Sequence, residues 1–379
     1  MAGDRRAVII GGGIAGLTTT IALRQVGIDA LTFDEAPELR EVGAGLWLWA
    51  NALSVFRELG LEPAVRRLGA APFTSGIRSL DGRWLTRFPP DVVERRWGAP
   101  TIAVLRADLQ ELLLASLPRD HVGLNAPATE LHQNEDAVTV SFQDGKKVVC
   151  DALVGADGLH SVVRGRLFGV HPPRYRGYAV WRGVSPGGPG IRDSSEYWGQ
   201  GQRFGLIPGR DRLVIWYASA NAPEGTADAD GPAAALLQRF GTWPDPIPDV
   251  IAATPEHTIV KRDVHDRPLT RRWVVGRVAL MGDAAHPLTP DLGQGACQAI
   301  VDAKAIADSL ATTRDVGAAL ADYERRRRRS AAAATVSSRY LGAIGQLEHP
   351  LVCRVRNAAL RATPLSLQLR RLDSVLRRR

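Results

Sequence analysis

Residues 7–10 form an unbroken apolar run, the pattern of a short strand buried on both faces, and glycines fill most of positions 11–16. Residues 17–25 then read as a helix closed at Gly27, and 30–33 as a second apolar strand. Strand, glycine turn, helix and strand predict one βαβ unit. Further helices are expected over 51–59, ending at Gly60, and over 106–117, stopped by Pro118. Between them the pattern becomes strand-like: 77–80 and 83–88 flank Asp81-Gly82, a dipeptide suited to the positive φ of a hairpin turn. A second hairpin is expected over 137–142 and 147–150, turning at Asp144-Gly145. From 178 to 261 aromatic and polar residues alternate between prolines and glycines, most clearly over 203–207 and 212–218. This predicts a mostly antiparallel lobe. Another apolar strand at 278–281 and a helix over 295–310 follow, so the first lobe is expected to be discontinuous in sequence.

A chain of 379 residues has room for two such lobes, and 45% hydrophobic against 23% charged residues is the balance of a globular protein rather than a disordered one. No apolar run approaches the roughly 20 residues that cross a bilayer, and no apolar leader precedes the first strand. The expectation is a cytoplasmic protein with no membrane span. Cys150, Cys297 and Cys353 are too few and too scattered for a disulfide framework or a zinc site, so no metal is expected. The net charge of +8 would suit nucleic acid, but much of it sits at 325–329, Arg370, Arg371 and 377–379. The run at 325–329 leads into alanines and reads as the solvated face of a helix, so no nucleic-acid partner is expected.

The glycine turn carries the first chemistry. Gly11 permits a tight turn, Gly13 lets a pyrophosphate approach the backbone, and Gly16 lets helix and strand pack closely, while the amides of Ile14 and Ala15 open the helix. Asp34, with Glu35 beside it, ends the next strand about 20 residues on, where a carboxylate can hold a ribose hydroxyl pair. These residues point to NAD or FAD without separating the two. Two later segments do separate them: Asp157-Gly158 after the apolar stretch 152–156, and Gly282-Asp283 after 278–281. Asp283 can hold a second polyol, and Gly293-Gln294-Gly295-Ala296 opens a helix whose bare amides can face a reduced flavin.

On these residues the chain resembles the single-component FAD-dependent aromatic hydroxylases, the flavoprotein monooxygenases of the para-hydroxybenzoate and salicylate hydroxylase type. The resemblance runs from about residue 7 to about 341 and rests on three motifs in order: the glycine turn with Asp34, Asp157-Gly158 through Ser161 to Arg164, and Gly282-Asp283 through His286, Pro287, Pro290 and 293–295. Arg40 with Gly43, Ala44 and Gly45 resembles the loop that packs along the flavin, and Arg106 the helix start whose arginine reaches the cofactor. The resemblance implies an α/β fold. A Rossmann-type FAD-binding domain (1–75, 101–172 and 270–345) would carry a second, mostly antiparallel β-sheet substrate domain (76–100 and 173–269) and a C-terminal helical segment (346–379). It also implies that NADH or NADPH reduces FAD, that O2 adds to give a C4a-hydroperoxide, and that an aromatic or other electron-rich small molecule is hydroxylated.

Candidate walls of the substrate cavity are Trp47, Trp49, Trp181, Trp198, Phe204, Trp216 and Tyr217, although each also reads as ordinary core. Trp47 and Trp49 alternate along one strand and so share a face, with Leu48 pointing away. Arg182 is the leading charged candidate for orienting a substrate anion, with an inter-lobe salt bridge as its other reading. His286, before Pro287, reads either as a base for a phenol or as a residue that stabilises its loop. Gly183-Val184-Ser185-Pro186-Gly187 fits the G-x-S-x-G pattern of hydrolases, but Pro186 lacks the amide an oxyanion hole requires, and the stretch reads as a loop. The remaining alternatives are a reductase, oxidase or halogenase of the same fold that makes no hydroxylated product. Asn51-Ala52 after the tryptophan pair departs from the halogenase pattern.

Overall fold

The computed structural model describes residues 5–39, 45–70, 72–186 and 191–376. Its first layer is a six-stranded sheet in which Arg6–Ile10 pairs in parallel with Asp29–Phe33 on one side and Ala152–Gly155 on the other. Val278–Leu280 continues the parallel order beyond Ala152–Gly155. Three segments far apart in sequence therefore end side by side at the carboxyl edge of one sheet, where α/β folds bind their ligands. Ala7, Val8, Ile9, Leu153, Val154, Ala279 and Leu280 are all buried there, as strands covered on both faces must be. The helices Ile14–Gln25 and Gly295–Thr312 pack against each other over this sheet.

The second layer is a seven-stranded sheet, antiparallel except where Ser194–Trp198 runs parallel to Ser75–Ser79. The expected hairpin at Asp81-Gly82 lies at its edge, as Ser75–Ser79 paired with Trp84–Phe88. The other expected hairpin forms part of a separate three-stranded sheet. Two helices, Pro232–Phe240 and Ile247–Ala253, lie within the stretch that read as strands alone. Their cue is proline in the first turn, followed by alanines and leucines in the first helix and by Asp249 in the second, a helix start rather than a strand. Residues 183–185, expected as a loop, are instead the end of the strand Arg174–Ser185, because Gly183, Val184 and Ser185 pair with Trp216, Ile215 and Val214. Gly187, which completes that pattern, lies outside the described residues.

The C-terminal part is three helices, Val316–Gly345, Pro350–Ala362 and Leu365–Leu376. Among the described residues no helix is long and apolar enough to cross a membrane.

Candidate functional site

The glycine turn closes as its spacing predicts. Gly11 has φ +109°, and a Cβ there would lie 2.4 Å from the Ala156 carbonyl oxygen; one on Gly16 would lie 1.8 Å from that of Gly11. Gly13 has no neighbour within 4 Å of where its Cβ would stand, and it starts the helix Ile14–Gln25 without a side-chain cap. Ile14, Ala15 and Gly16 form the first turn, whose amides have no partner within the helix. Asp34 accepts from the Gly12 amide at 2.5 Å and the Ala36 amide at 2.8 Å, which fixes its carboxylate at the strand end while Glu35 stays exposed.

Beside this turn, Asp157 accepts from the Val163 amide at 3.1 Å, while its other carboxylate oxygen is buried without a protein partner. Burial raises its pKa, and hydrogen bonds from Ser161 and Val163 oppose the rise. Gly158 makes the turn at φ +74°, and Ser161 caps the helix Val162–Phe168. Arg164 is buried and donates to the carbonyls of Ala284 (2.9 Å) and Ala285 (3.3 Å). It therefore ties the second motif to the third.

Asp283 stands at the head of the third motif. Its side chain is accessible yet closely surrounded by protein, which raises its pKa; the charges of His286, Arg106 and Arg182 and the Leu288 amide oppose that rise. Three residues the sequence singled out separately thus lie within electrostatic reach of one carboxylate. Pro290 begins a turn that ends at Gly293 with φ +62°, and the helix Gly295–Thr312 opens with no side-chain cap and no neighbour within 4 Å of a Cβ on Gly295. Ala296 stands in its first turn.

Trp47 and Trp49 face this opening. Their ring centroids are 5.6 Å apart, and Gly293 lies 3.8 Å from the indole nitrogen of Trp49 and 3.9 Å from Cβ of Trp47, measured from where its own Cβ would stand. Both indole nitrogens are buried without a protein partner. The strand ends at Leu48, which is buried in the core of the first layer, and Trp49, expected on the same strand, instead caps the helix Ala50–Glu58 and is itself largely buried in that core. Cys297 holds the pair in place: its sulfur lies 3.3 Å from the Trp47 carbonyl and 3.5 Å from the Trp49 amide, and burial pushes its thiol pKa up to about 12. Gly45, on the strand with Trp47, packs against Ile215 of the second sheet. Arg40, Gly43 and Ala44 lie outside the described residues.

The other aromatic candidates divide by strand face. Tyr217 packs with Trp47, Phe73 and Val184 on the side of the second sheet that looks toward the first layer. Trp181, Phe204 and Trp216 lie on the opposite side, in one cluster with Leu236, Phe240, Ile247 and Val250 of the two covering helices. Their polar ends are satisfied there: Trp181 donates to Asp228 and Trp216 to Thr254. Trp198 is also fully buried, 5.0 Å from the guanidinium of Arg356. The structure does not bring Trp181, Phe204 and Trp216 to the cleft, because successive side chains on a strand alternate faces and theirs is the covered one; Trp198 stands on the other face, opposite Arg203, where Arg356 of the C-terminal part lies over its ring.

His286 is buried, with Nε2 2.6 Å from Asp302 and its ring 5.0 Å from that of Trp273. Asp302 also accepts from the Gly282 amide at 3.0 Å and from Arg327 at 2.6 Å. Of the two readings of His286, this bonding matches the one that stabilises its loop, with buried Pro287 next to it. Arg327 is the exception to the solvated arginine run: it turns inward and also donates to Gln298 at 2.6 Å. Gln298 in turn bonds Gln294, which accepts from Asn51.

A second buried ion cluster went unnoticed in the sequence. Arg203, from the strand Gln202–Pro208, bonds Asp291 at 2.5 Å in the Pro290–Leu292 turn and Glu196 at 3.2 Å, and Tyr178 donates to Asp291 at 2.7 Å. Burial raises the pKa of Glu196 against the pull of Arg203, and the Glu196 charge in turn raises that of the buried Tyr217 hydroxyl. The available signal was an arginine flanked by Gln202 and Phe204 on a strand with one covered face.

The sequence and fold agree with known proteins. A family profile described as FAD binding domain matches residues 4–338. The aurachin C monooxygenase/isomerase of Stigmatella aurantiaca is 40% identical over 356 residues, covering 93% of each chain. The FAD-dependent urate hydroxylase of Klebsiella pneumoniae is 34% identical over 325 residues, 84% of this chain and 85% of that one. The solved structure of Klebsiella pneumoniae HpxO complexed with FAD and uric acid superposes with a TM-score of 0.93 at 30% identity, covering 99% of this chain and 97% of that one. With a profile matched along most of its length and relatives this similar over nearly their whole chains, the chain belongs to the FAD binding domain family of FAD-dependent monooxygenases.

Proposed function

We propose that this flavoprotein takes two electrons from NADH or NADPH and inserts one atom of O2 into an electron-rich aromatic molecule, the second atom leaving as water. The observation that carries the reading is geometric: the strands ending at Ile10, Gly155 and Leu280 lie side by side, and the uncapped helix Gly295–Thr312 opens next to Gly293 and the tryptophan pair. FAD fits the residues present. The uncapped amides at Gly13 and Gly295, the unpartnered oxygen of Asp157 and the unpartnered indole nitrogens of Trp47 and Trp49 are donors and acceptors that the protein itself leaves unmet.

In this reading Gly11, Gly13, Ile14, Ala15 and Gly16 cradle the pyrophosphate and Asp34, next to Glu35, holds the adenosine ribose. Arg106, Asp157, Gly158, Gly282 and Asp283 hold the ribityl chain. Pro290 and Gly293 to Ala296 face the flavin ring, with the loop of Arg40, Gly43, Ala44 and Gly45 along it. Arg164 supports the site through backbone carbonyls. Bound FAD supplies the hydride acceptance and oxygen activation that side chains lack. The chain's own share is position and exclusion of water: Trp47, Trp49 and Tyr217 form apolar walls, and the Arg182 cation orients an anionic or phenolic substrate. The division into a cofactor lobe (1–75, 101–172 and 270–345), a substrate lobe (76–100 and 173–269) and a C-terminal segment belongs to the same proposal.

Purified holoprotein is tested with NADH and NADPH in the presence of urate, 3-amino-4-hydroxybenzoate or aurachin C, the compounds named for its relatives. Compound-stimulated NAD(P)H and O2 consumption with a product one oxygen heavier is expected. Reduction of the flavin with only hydrogen peroxide as the oxygen product, for every electron-rich aromatic tried, would reject hydroxylation. Asp283→Ala is expected to weaken FAD binding by roughly ten- to a hundredfold, the equivalent of a charge-assisted hydrogen bond of about 1.5–3 kcal/mol. Flavin fluorescence titration measures it, and unchanged affinity removes Asp283 from the cofactor contacts.

A further inference from the structure

The helix Pro350–Ala362 is seated with its apolar side outward. Leu351 is 61% exposed and Val355 69%, and Ala358 and Ala362 continue the same stripe at helical spacing. Cys353 and Arg356 occupy the inner side instead; Arg356 donates to the carbonyls of Ile344, Gly345 and Gly199, so the helix is anchored by its polar face. Arg354 and Arg361 are exposed along the edge of the stripe.

The surroundings extend this surface. The helix packs against the strand Trp84–Phe88, and the Arg361 charge acts on Asp81 at the hairpin tip, where Leu80 is exposed. Residues 346–379 hold eight arginines against two acidic residues, Glu348 and Asp373, so this segment supplies six of the chain's eight net positive charges. Asp373 is already engaged by Arg96 and Trp97.

We infer that this face docks on an anionic lipid surface, with the Leu351–Val355 stripe entering the headgroup boundary and Arg354 and Arg361 on the lipid phosphates. An outward apolar stripe edged by arginine is the composition of an interfacial helix, and basic residues near an anionic leaflet are attracted over about a Debye length. A second copy of the chain is the weaker occupant, because a two-fold interface sets this patch against itself and brings two strongly positive segments together.

The test uses the full-length, FAD-loaded protein in co-sedimentation with vesicles of phosphatidylcholine alone and of phosphatidylcholine mixed with phosphatidylglycerol. Binding to the mixed vesicles at low salt is expected, with little at high salt and little to phosphatidylcholine alone. The double variant Leu351→Asp, Val355→Asp and, separately, Arg354→Glu with Arg361→Glu are each expected to lower the bound fraction by about tenfold or more. Because these side chains are exposed, flavin absorbance and the melting midpoint should stay unchanged. Protein that remains in the supernatant with mixed vesicles, or variants that bind as the parent does, overturn the inference. So does a lipid-free dimer, seen by sedimentation velocity, that the double aspartate variant dissociates.

Discussion

Replacing Arg203 with alanine is expected to cost about 3–5 kcal/mol of folding stability, the usual loss when one member of a buried ion pair is removed and its partners stay behind. Asp291 is the partner that suffers most, since its side chain is wholly buried and Arg203 is its cation. Glu196 is better placed to adapt, because burial already favours its neutral form. The loss should also be felt in the site. Asp291 belongs to the turn that leads into Gly293, and Arg203 and Tyr178 are what fasten that turn to the second sheet. Urea denaturation of the holoprotein reads the stability term, and the KM for the aromatic substrate reads the displacement of the turn. A loss below about 1 kcal/mol, the range of surface pairs, would show that the cluster is hydrated in solution.

Asp302→Ala is expected to have the second large effect, again about 3–5 kcal/mol, because it strands Arg327 and takes a bond from both His286 and the Gly282 amide. Burial alone would raise the pKa of Asp302, but His286 and Arg327 hold it down at about 2, below its ordinary 3.8. A carboxyl depressed in the folded state stabilises the protein in full above its unfolded value. That contribution, about 2 kcal/mol from the size of the shift, fades as the pH falls from about 3.8 towards about 2. The stability gap between parent and Asp302→Asn should therefore narrow across that acid window and stay constant above it. A gap that widened with acid would reverse the assignment. FAD should also dissociate faster from the alanine variant, since Gly282 precedes the carboxylate proposed to hold the ribityl chain; an unchanged off-rate would confine Asp302 to a structural role.

Much of the site was legible because its signals are local. Gly11, Gly13 and Gly16 stand at fixed spacing after an apolar strand; a turn that tight leaves no room for another residue type at Gly11 and Gly16, as the 1.8 Å approach at Gly16 shows, while the space at Gly13 stays open. Asp34, Asp157 and Asp283 each follow an apolar strand, so their positions at strand ends followed from the chain itself. That the last two strands join the first in one parallel sheet is a tertiary fact; the family resemblance implied only that the three segments share one discontinuous domain.

The tryptophans mark where local pattern stops. Alternation predicts that Trp47 and Trp49 share a face, and likewise Trp181 and Gly183, but a period of two carries no information about which face meets which layer. The helices Pro232–Phe240 and Ile247–Ala253 decided that, by covering the side that holds Trp181, Phe204 and Trp216. Charge was equally silent: Arg203 and Asp291 are 88 positions apart, Arg327 and Asp302 are 25 apart, and each pair forms only where separate elements pack. The sequence by itself therefore determined the turns proposed to hold the cofactor, whose geometry is set within a few residues. Only the tertiary structure decided which aromatics line the opening between the two layers and which charges form the two buried ion clusters, since burial and long-range pairing belong to packed layers rather than to any single segment.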